Sequence, residues 1–189
     1  MRTWRLWGVL LAVMGLVGLA VPTFAQDFYL KVTGTKQGVF KGEAAGAAWK
    51  DWSPGVDLEH RVQLPLDRVT GMATGMAQHM PLTVTKRLGA ASPQFLQALT
   101  TNELLKQVDL SFVRTRPDGT QEVYYTITLR NATLAEVRLF RSPGPPEALP
   151  SGEYEALSFR YQSISVKSPV GGTEAMADWG TGGGVRGLH

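Results

Sequence analysis

The histidines are the side chains of this sequence best suited to binding a metal. The chain has three, His60, His79 and His189, and it has no cysteine. Zinc and copper sites draw on several imidazoles or thiolates held close together, commonly at short fixed spacings. None of the three has a second histidine two or four positions away, so we expect no metal site. The pattern favours a half-buried strand position for His60 and a solvated loop for His79, with an interface contact at His79 left open.

The acidic residues Asp57, Glu59 and Asp67 could in principle supply a carboxylate pair for glycoside hydrolysis. That chemistry needs two carboxyl groups that converge on one cleft at a set separation. Asp57 and Glu59 instead alternate with apolar residues, which is typical of the polar face of a strand. The sequence therefore predicts no catalytic carboxylate pair.

Other catalytic and cofactor-binding motifs are also missing from the sequence. The stretch 71–76 is rich in glycine and methionine, but it lacks the Gly-Lys-Ser/Thr ending of a phosphate-binding loop. The chain contains no Gly-x-Ser-x-Gly motif of a serine hydrolase. We expect neither an enzyme nor a bound cofactor.

Two apolar groups admit two interpretations. Trp49 and Trp52 lie just before Pro54-Gly55, where a turn is expected, and Met72, Met76 and Met80 share one loop. Core packing explains the tryptophans. An exposed apolar surface for a partner is the alternative, and it suits the adaptable side chains of methionine.

The first 25 residues have the composition of a secretory signal peptide. Two arginines precede an uncharged stretch over 6–21, and the small residues Thr23 and Ala25 follow at the cleavage positions. This pattern predicts cleavage after Ala25 and a secreted or periplasmic protein. An uncleaved membrane anchor is the alternative, because the uncharged run is close to the length that spans a bilayer.

The remaining chain is nearly neutral and of single-domain size. The full chain has 19 Lys and Arg against 16 Asp and Glu, and removing the two leader arginines leaves 17 against 16, a net charge of +1. This balance, with no basic stripe carrying interleaved aromatics, predicts no nucleic-acid partner. Removing 25 of the 189 residues leaves 164, enough for one core. We expect no membrane contact once the leader is removed.

Alternation with a period of two dominates the rest of the sequence and predicts β-strands. The first strand follows Phe28, Leu30 and Val32. A second extended stretch follows Val56, Leu58, His60, Val62 and Leu64, and a third strand follows Leu82 and Val84. A long hairpin with a turn at Asp118-Gly119 has the apolar positions Val108, Leu110 and Phe112 in one strand and Val123, Tyr125, Ile127 and Leu129 in the other. Val137 and Leu139 indicate one more strand.

A single helix and an irregular last strand complete the predicted domain. Ser92 as N-cap and Pro93 at the first helical position predict a short helix that ends near Thr100-Thr101-Asn102. In the last strand the apolar positions change from odd, as at Phe159, to even, as at Ile164, which predicts a β-bulge. The fold class is α+β and mainly β, a barrel or sandwich with one short helix.

The sequence divides into three segments. Residues 1–25 are the signal peptide, 26–168 form the β domain, and 169–189 are a glycine-rich tail that we expect to be mobile. The tail contains two glycine runs and too little apolar surface to form a core.

Several stretches resemble the Hcp family, the tube-forming proteins of type VI secretion systems. The most distinctive is a strand that ends in Lys86, followed by a helix that opens with Ser92-Pro93. The similar stretches are the opening strand 27–32, the strand and helix 81–99, the central hairpin 106–114 and 122–129, and the closing strand 155–166.

The resemblance implies an Hcp-like antiparallel β-barrel flanked by a short α-helix, with no cofactor and no catalysis. It further implies hexameric rings that stack into a tube and carry small effector proteins in the lumen. By the same analogy, we expect ring-to-ring contacts at the loop 68–80 and at the segment 34–46. A cysteine-free β domain is also physically suited to assembly with copies of itself.

Two functions of different classes remain open from the sequence. The first is a structural ring or tube subunit of type VI secretion. The second is an exported Hcp-like binding or adhesion module that acts in the periplasm or outside the cell. The oligomeric state distinguishes them.

Overall fold

The computed structural model of the chain describes residues 28–144, 149–178 and 186–188. The predicted signal peptide, residues 1–25, lies outside this range. Within it, no helix is long and apolar enough to span a membrane. One α-helix, α1 (Ser92–Thr100), and a 3₁₀ turn at Ala47–Trp49 accompany eleven strands in the described residues. The strands are β1 (Phe28–Gly34), β2 (Ser53–Glu59), β3 (Val62–Gln63), β4 (Gln78–His79), β5 (Leu82–Arg87), β6 (Leu105–Thr115), β7 (Gln121–Ser142), β8 (Gly152–Arg160), β9 (Ser163–Ser168), β10 (Thr173–Asp178) and β11 (Arg186–Leu188).

Six of the strands close into an antiparallel barrel. Their order is β7-β6-β1-β2-β5-β8, and β8 pairs back onto β7 to complete the circle. Strands β9, β10 and β11 continue the sheet from the side of β7, and β3 pairs only with β4. Closure gives each barrel strand a hydrogen-bonded neighbour on both sides, so the six-stranded barrel itself has no open edge.

The core fills the barrel with the apolar faces that the sequence predicts. Leu30, Leu82 and Leu110 are buried, and the helix adds Phe95 and Ala98 to the same cluster. Because these strands alternate in sequence with a period of two, one face of each turns inward. The predicted fold class, mainly β with an Hcp-like barrel and one flanking helix, is confirmed.

The central hairpin is also confirmed, but its second strand is longer than predicted. Strands β6 and β7 meet around the predicted turn, where Gly119 has a φ of 83° that few other residues adopt. Val137 and Leu139 do not form a further strand, because β7 runs without interruption for 22 residues. Its first half pairs with β6 and its second half with β8, so β7 joins two sides of the barrel.

The predicted bulge in the last strand is wrong in detail. The chain there forms two strands, β8 and β9, separated by Tyr161 and Gln162. Opposite this break Asn131 takes a positive φ of 48°, which bends β7. The Gln162 amide donates to the Arg130 carbonyl at 3.1 Å, and Asn131 Nδ2 donates to Gln162 Oε1 at 2.7 Å. The change of the apolar positions from odd to even therefore marks the bend at which β8 ends and β9 begins. Tyr161 lies in this bend and belongs to neither strand.

The helix begins one residue earlier than predicted, and its N-cap is Ala91. Ser92 is the first helical residue and does not cap the helix. Its hydroxyl accepts a hydrogen bond from the Gly89 amide at 2.9 Å and donates to Glu155 Oε1 at 2.8 Å. The buried carboxylate therefore recruits the hydroxyl that the sequence assigns to a cap. The helix ends at Thr100, close to the predicted position.

The second predicted strand does not keep its apolar face buried along its whole length. Strand β2 pairs with β5 as far as Glu59, and beyond that point the chain pairs with β4 instead. Val62 and Leu64 are consequently exposed to solvent, and Val56 is exposed at the register shift between Gly55 and Asp57. The alternation is correct for extended backbone, but the residues after Glu59 leave the barrel.

The described part of the predicted tail pairs with the sheet, and the mobility of residues 169–189 stays a prediction. Strand β10 pairs with β9 along six residue pairs, and β11 pairs with β10. A strand can add to an existing sheet through backbone hydrogen bonds, which need little apolar surface. Composition alone therefore does not reveal that this segment forms strands. The division at residues 25 and 168 stays a prediction.

Candidate assembly surface and histidine–tyrosine cluster

A β-hairpin projects from the barrel between β2 and β5. We call residues 61–80 the projecting hairpin. Its strands pair Val62 with His79, a further bridge joins Leu66 to Ala73, and the Met80 amide donates to the Arg61 carbonyl at 3.0 Å. These contacts give the loop of the sequence prediction a defined two-stranded form.

Asp67 closes the tip of the projecting hairpin. Its Oδ1 accepts hydrogen bonds from the Val69 amide at 3.0 Å, the Thr70 amide at 2.7 Å and the Thr70 hydroxyl at 2.9 Å. The two bonds from Thr70, followed by the bond from Val69, lower the pKa of this carboxyl because they favour its charged form. Asp67 thus holds a turn.

Apolar side chains cover the projecting hairpin and face solvent. Val69 is 93% exposed and Met72 is 70% exposed. The part of the barrel that the structure describes leaves them uncovered. The exposed apolar residues of the hairpin are Val62, Leu64, Leu66, Val69, Met72, Met76 and Met80. Of the two interpretations of the methionines, the structure supports the exposed surface, and contiguous surfaces of this kind mark interaction sites.

The tryptophans are neither fully packed in the core nor fully exposed as a surface for a partner. Trp49 stacks on Tyr29 with ring centroids 4.1 Å apart, and Trp52 meets Trp49 edge-on at 5.4 Å. Both indoles are half-buried, and Lys31 Nζ lies 5.8 Å from the centre of the Trp52 ring. They pack on the outside of the barrel and do not belong to its interior cluster.

The segment 34–46, the second predicted contact region, is fastened to the barrel. Phe40 is buried against Phe95 with ring centroids 5.1 Å apart. Glu103 accepts hydrogen bonds from the Lys36 amide at 2.6 Å and the Gln37 amide at 2.9 Å. Burial raises the pKa of Glu103, but these bonds and that from the Gln37 side chain outweigh it, so the pKa is lowered overall. A firmly held turn is thereby presented beside the helix.

Two of the three histidines meet at one tyrosine, which the sequence analysis does not anticipate. His60 Nε2 lies 2.7 Å from Tyr161 Oη, and His79 Nδ1 lies 3.0 Å from the same oxygen. The imidazole centroids are 6.0 Å apart. His60 is half-buried as expected, but His79 is paired at the base of the projecting hairpin rather than free in a loop.

Burial sets the protonation states of this cluster. Desolvation lowers the pKa of His60, and desolvation together with the nearby charge of His60 lowers the pKa of His79. Desolvation raises the pKa of Tyr161 to about 12. At neutral pH the cluster is therefore uncharged. One sequence signal points to this cluster. The apolar positions change from odd to even next to Tyr161, which indicates that its ring does not follow the alternation of the flanking strands.

The other acidic candidates engage in local contacts. Asp57 accepts a hydrogen bond from the adjacent Leu58 amide at 2.9 Å, and Glu59 lies 3.8 Å from Arg61 in an exposed ion pair. His189 lies outside the described residues. Among the residues that the structure describes, no group of three or more His, Cys, Asp and Glu side chains is placed to hold a metal.

A buried ion pair lies beneath the helix, and the sequence patterns do not predict it. Lys86 Nζ lies 2.9 Å from Glu155 Oε1, and both side chains are fully buried as cross-strand partners on β5 and β8. Lys86 also donates to the Arg87 carbonyl at 2.9 Å, and Glu43 lies 4.0 Å away at the surface. A charged residue at an inward position of each strand is the signal that could have found the pair.

Comparisons with known proteins agree with this architecture. A family model described as "Type VI secretion system effector, Hcp" matches residues 29–167. The chain is 32% identical over 168 residues to the "Major exported protein" of Pseudomonas aeruginosa, covering 82% of this chain and 96% of that protein.

Solved structures show the same fold. The secreted protein Hcp3 from Pseudomonas aeruginosa superposes with a TM-score of 0.63 at 29% identity, covering 80% of this chain and 99% of that one. A variant of Hcp1 from E. coli EAEC 042 gives a TM-score of 0.72 at 23% identity, covering 81% and 98%. The matched region contains the barrel, the helix and the projecting hairpin, and the protein belongs to the Hcp family of type VI secretion systems.

Proposed function

We propose that this protein is a structural subunit that assembles into hexameric rings, and that the rings stack into the tube of a type VI secretion system. The observation that carries the proposal is the apolar covering of the projecting hairpin. At its tip Val69 is almost fully in water, and most of the Met72 side chain is exposed. Each fully buried side chain of this kind contributes roughly 1.5–3 kcal/mol, so a second copy that covers the hairpin stabilises both.

The closed barrel limits how copies can meet. All six barrel strands have two neighbours, so backbone pairing across a barrel edge is not the mode of association. We infer that side chains of the projecting hairpin provide the contact between rings, and a hairpin that enters a different patch of a copy in the next ring makes a head-to-tail contact. Head-to-tail contacts that do not close repeat from one ring to the next and extend the assembly into a tube.

The two predicted contact regions have complementary roles in this arrangement. The projecting hairpin, which includes 68–80, reaches beyond the barrel, while the segment 34–46 is held in place by Phe40 and Glu103. We infer that the projecting hairpin of one copy contacts a copy in the neighbouring ring. The segment 34–46 then forms part of the rigid surface that receives this hairpin. Small effector proteins then occupy the ring lumen, and neither catalysis nor a cofactor is required.

Residues 1–25 are proposed to direct export, as their composition indicates. A leader peptidase then produces a chain that begins at Gln26. Mass spectrometry of the N-terminus of the cellular protein tests this. An N-terminus at Gln26 is expected, whereas an intact Met1 in the soluble cytoplasmic fraction contradicts export.

The oligomeric state tests the ring proposal. Sedimentation velocity of the purified protein should show a species of six copies, with larger stacked species as concentration rises. Val69→Glu should remove the stacked species and leave single rings, because a carboxylate cannot be buried in the apolar contact between rings without a partner. Val170→Glu is the matched control, since Val170 is also exposed, at 54%, but lies in the turn between β9 and β10.

A chain that stays monomeric at high concentration contradicts the ring proposal and supports the exported binding module instead. Equal effects of the two substitutions would show that the projecting hairpin has no special part in assembly. Circular dichroism of both variants verifies that the barrel is intact.

A further inference from the structure

Three side chains with metal-binding atoms converge where the projecting hairpin joins the barrel. His60 follows β2, His79 belongs to β4, and Tyr161 lies at the break between β8 and β9. Both imidazoles direct a ring nitrogen at Tyr161 Oη, from 2.7 and 3.0 Å. All three side chains are half-buried, so the cluster is shielded and still within reach of solvent.

The hairpin register explains why the imidazoles come together. His79 pairs with Val62, and residues two apart on a strand share a face, so His60 lies diagonally across from His79 on the same side of the ribbon. Diagonal neighbours of this kind are within reach of long and aromatic side chains. The bond from the Met80 amide to the Arg61 carbonyl fixes the register beside them.

We propose that His60 Nε2, His79 Nδ1 and Tyr161 Oη form a binding site for one divalent transition-metal ion, Cu²⁺ in preference to Zn²⁺. Imidazole nitrogens suit both ions, and copper forms the stronger complexes. Metal–ligand bonds of about 2.0 Å, at the near-right angles of the square-planar geometry that Cu²⁺ prefers, place neighbouring ligand atoms about 2.8 Å apart. The distances of 2.7 and 3.0 Å are close to this spacing, so small side-chain rotations complete the site.

The hydrogen bonds of the cluster must rearrange when a metal binds. Tyr161 Oη has one proton and can donate to only one of the two ring nitrogens, so the other ring nitrogen donates its own N–H to Oη. That imidazole moves its proton to its second ring nitrogen on binding, so that His60 Nε2 and His79 Nδ1 both offer a lone pair. Binding forms two metal–nitrogen bonds and one metal–oxygen bond, and the phenol proton leaves to solvent. No electron is transferred.

A bound ion would tie the base of the hairpin to the barrel. The three ligands come from β4 and from the ends of β2 and β8, so the ion bridges the ribbon and the barrel at one point. Such binding stabilises the folded chain in proportion to the logarithm of metal concentration. The site is independent of the proposed ring assembly, because all three ligands belong to one copy.

Calorimetric titration of the tag-free chain with Cu²⁺ at pH 7.5 tests the proposal. One ion per chain should bind, with about one proton released, as measured from the buffer dependence of the enthalpy. His60→Gln and His79→Gln should each weaken binding by at least about tenfold, and Tyr161→Phe by roughly tenfold. His189→Gln is the control and should bind like the unaltered protein.

Loss of binding in His189→Gln, or unchanged binding in either of the other histidine variants, would overturn the site. Unchanged affinity and proton release in Tyr161→Phe would overturn the ligand role of the phenol. A second measurement needs no variant. Zn²⁺ added to the unaltered protein should shift the NMR signals of two imidazole rings, and a shift confined to the third ring would refute the proposal.

Discussion

The barrel and the projecting hairpin are built from the same sequence pattern and have opposite surroundings. Leu110 on β6 is fully buried, whereas Leu64 beside β3 is 49% exposed, although each lies in a run of alternating apolar residues. The difference is the number of neighbours. Strand β6 has a strand on both sides and a filled interior, while β3 pairs only with β4.

The comparison shows what alternation can and cannot predict. It identifies extended backbone, because successive side chains of a strand point to opposite faces. It does not identify which apolar faces the chain covers by itself and which it leaves for another molecule. In this protein the uncovered face is the one that we assign to assembly.

The largest difference between the two regions should come from removing a carboxylate. Glu155→Ala leaves Lys86 buried without its partner and should lower the free energy of unfolding by about 3–5 kcal/mol. Glu59→Ala breaks the exposed ion pair with Arg61 at the start of the hairpin. This substitution should change the free energy of unfolding by less than about 1 kcal/mol. Urea unfolding at pH 7.5 measures both.

A small effect of Glu155→Ala would mean that water or Glu43 replaces the lost carboxylate. The measurements should compare the variants at one protein concentration, because assembly makes apparent stability depend on protein concentration.

Truncating the matched leucines tests the comparison next. Leu110→Ala removes buried methyl groups and should lower the free energy of unfolding by about 2–5 kcal/mol. Leu64→Ala should change the stability of the single copy by less than about 0.5 kcal/mol, because its side chain is already in contact with water. The two urea midpoints give the contrast directly. Comparable losses at both positions would show that the hairpin packs within one copy.

The smallest effect concerns pH at the junction of the two regions. The pKa values of His60 and His79 are lowered in the folded state, so the unfolded chain binds more protons below its own histidine pKa near 6.5. Stability should therefore fall as pH drops from 7.5 to 5.5. The double variant His60→Gln, His79→Gln should lose less, as followed by thermal unfolding at each pH. Equal slopes would exclude the cluster as the source.

The sequence allowed the barrel to be predicted but not the polar clusters. Strands such as β5 and β6 and the turn at Gly119 depend on local patterns, and they were predicted correctly. The pairs Lys86–Glu155 and His60–Tyr161 join residues far apart in the chain, and only the register of the closed barrel brings them together. Ser92 shows the same limit, because a distant carboxylate takes the hydroxyl that local rules assign to a helix cap.

Hydrogen exchange measured at two protein concentrations tests most directly whether the projecting hairpin is an assembly surface. In a single copy its two-stranded ribbon should exchange quickly, and the barrel amides slowly. Raising the concentration into the range of assembly should slow exchange across 61–80 and leave exchange in the barrel interior unchanged. Assembly without any slowing of exchange in the hairpin would contradict it.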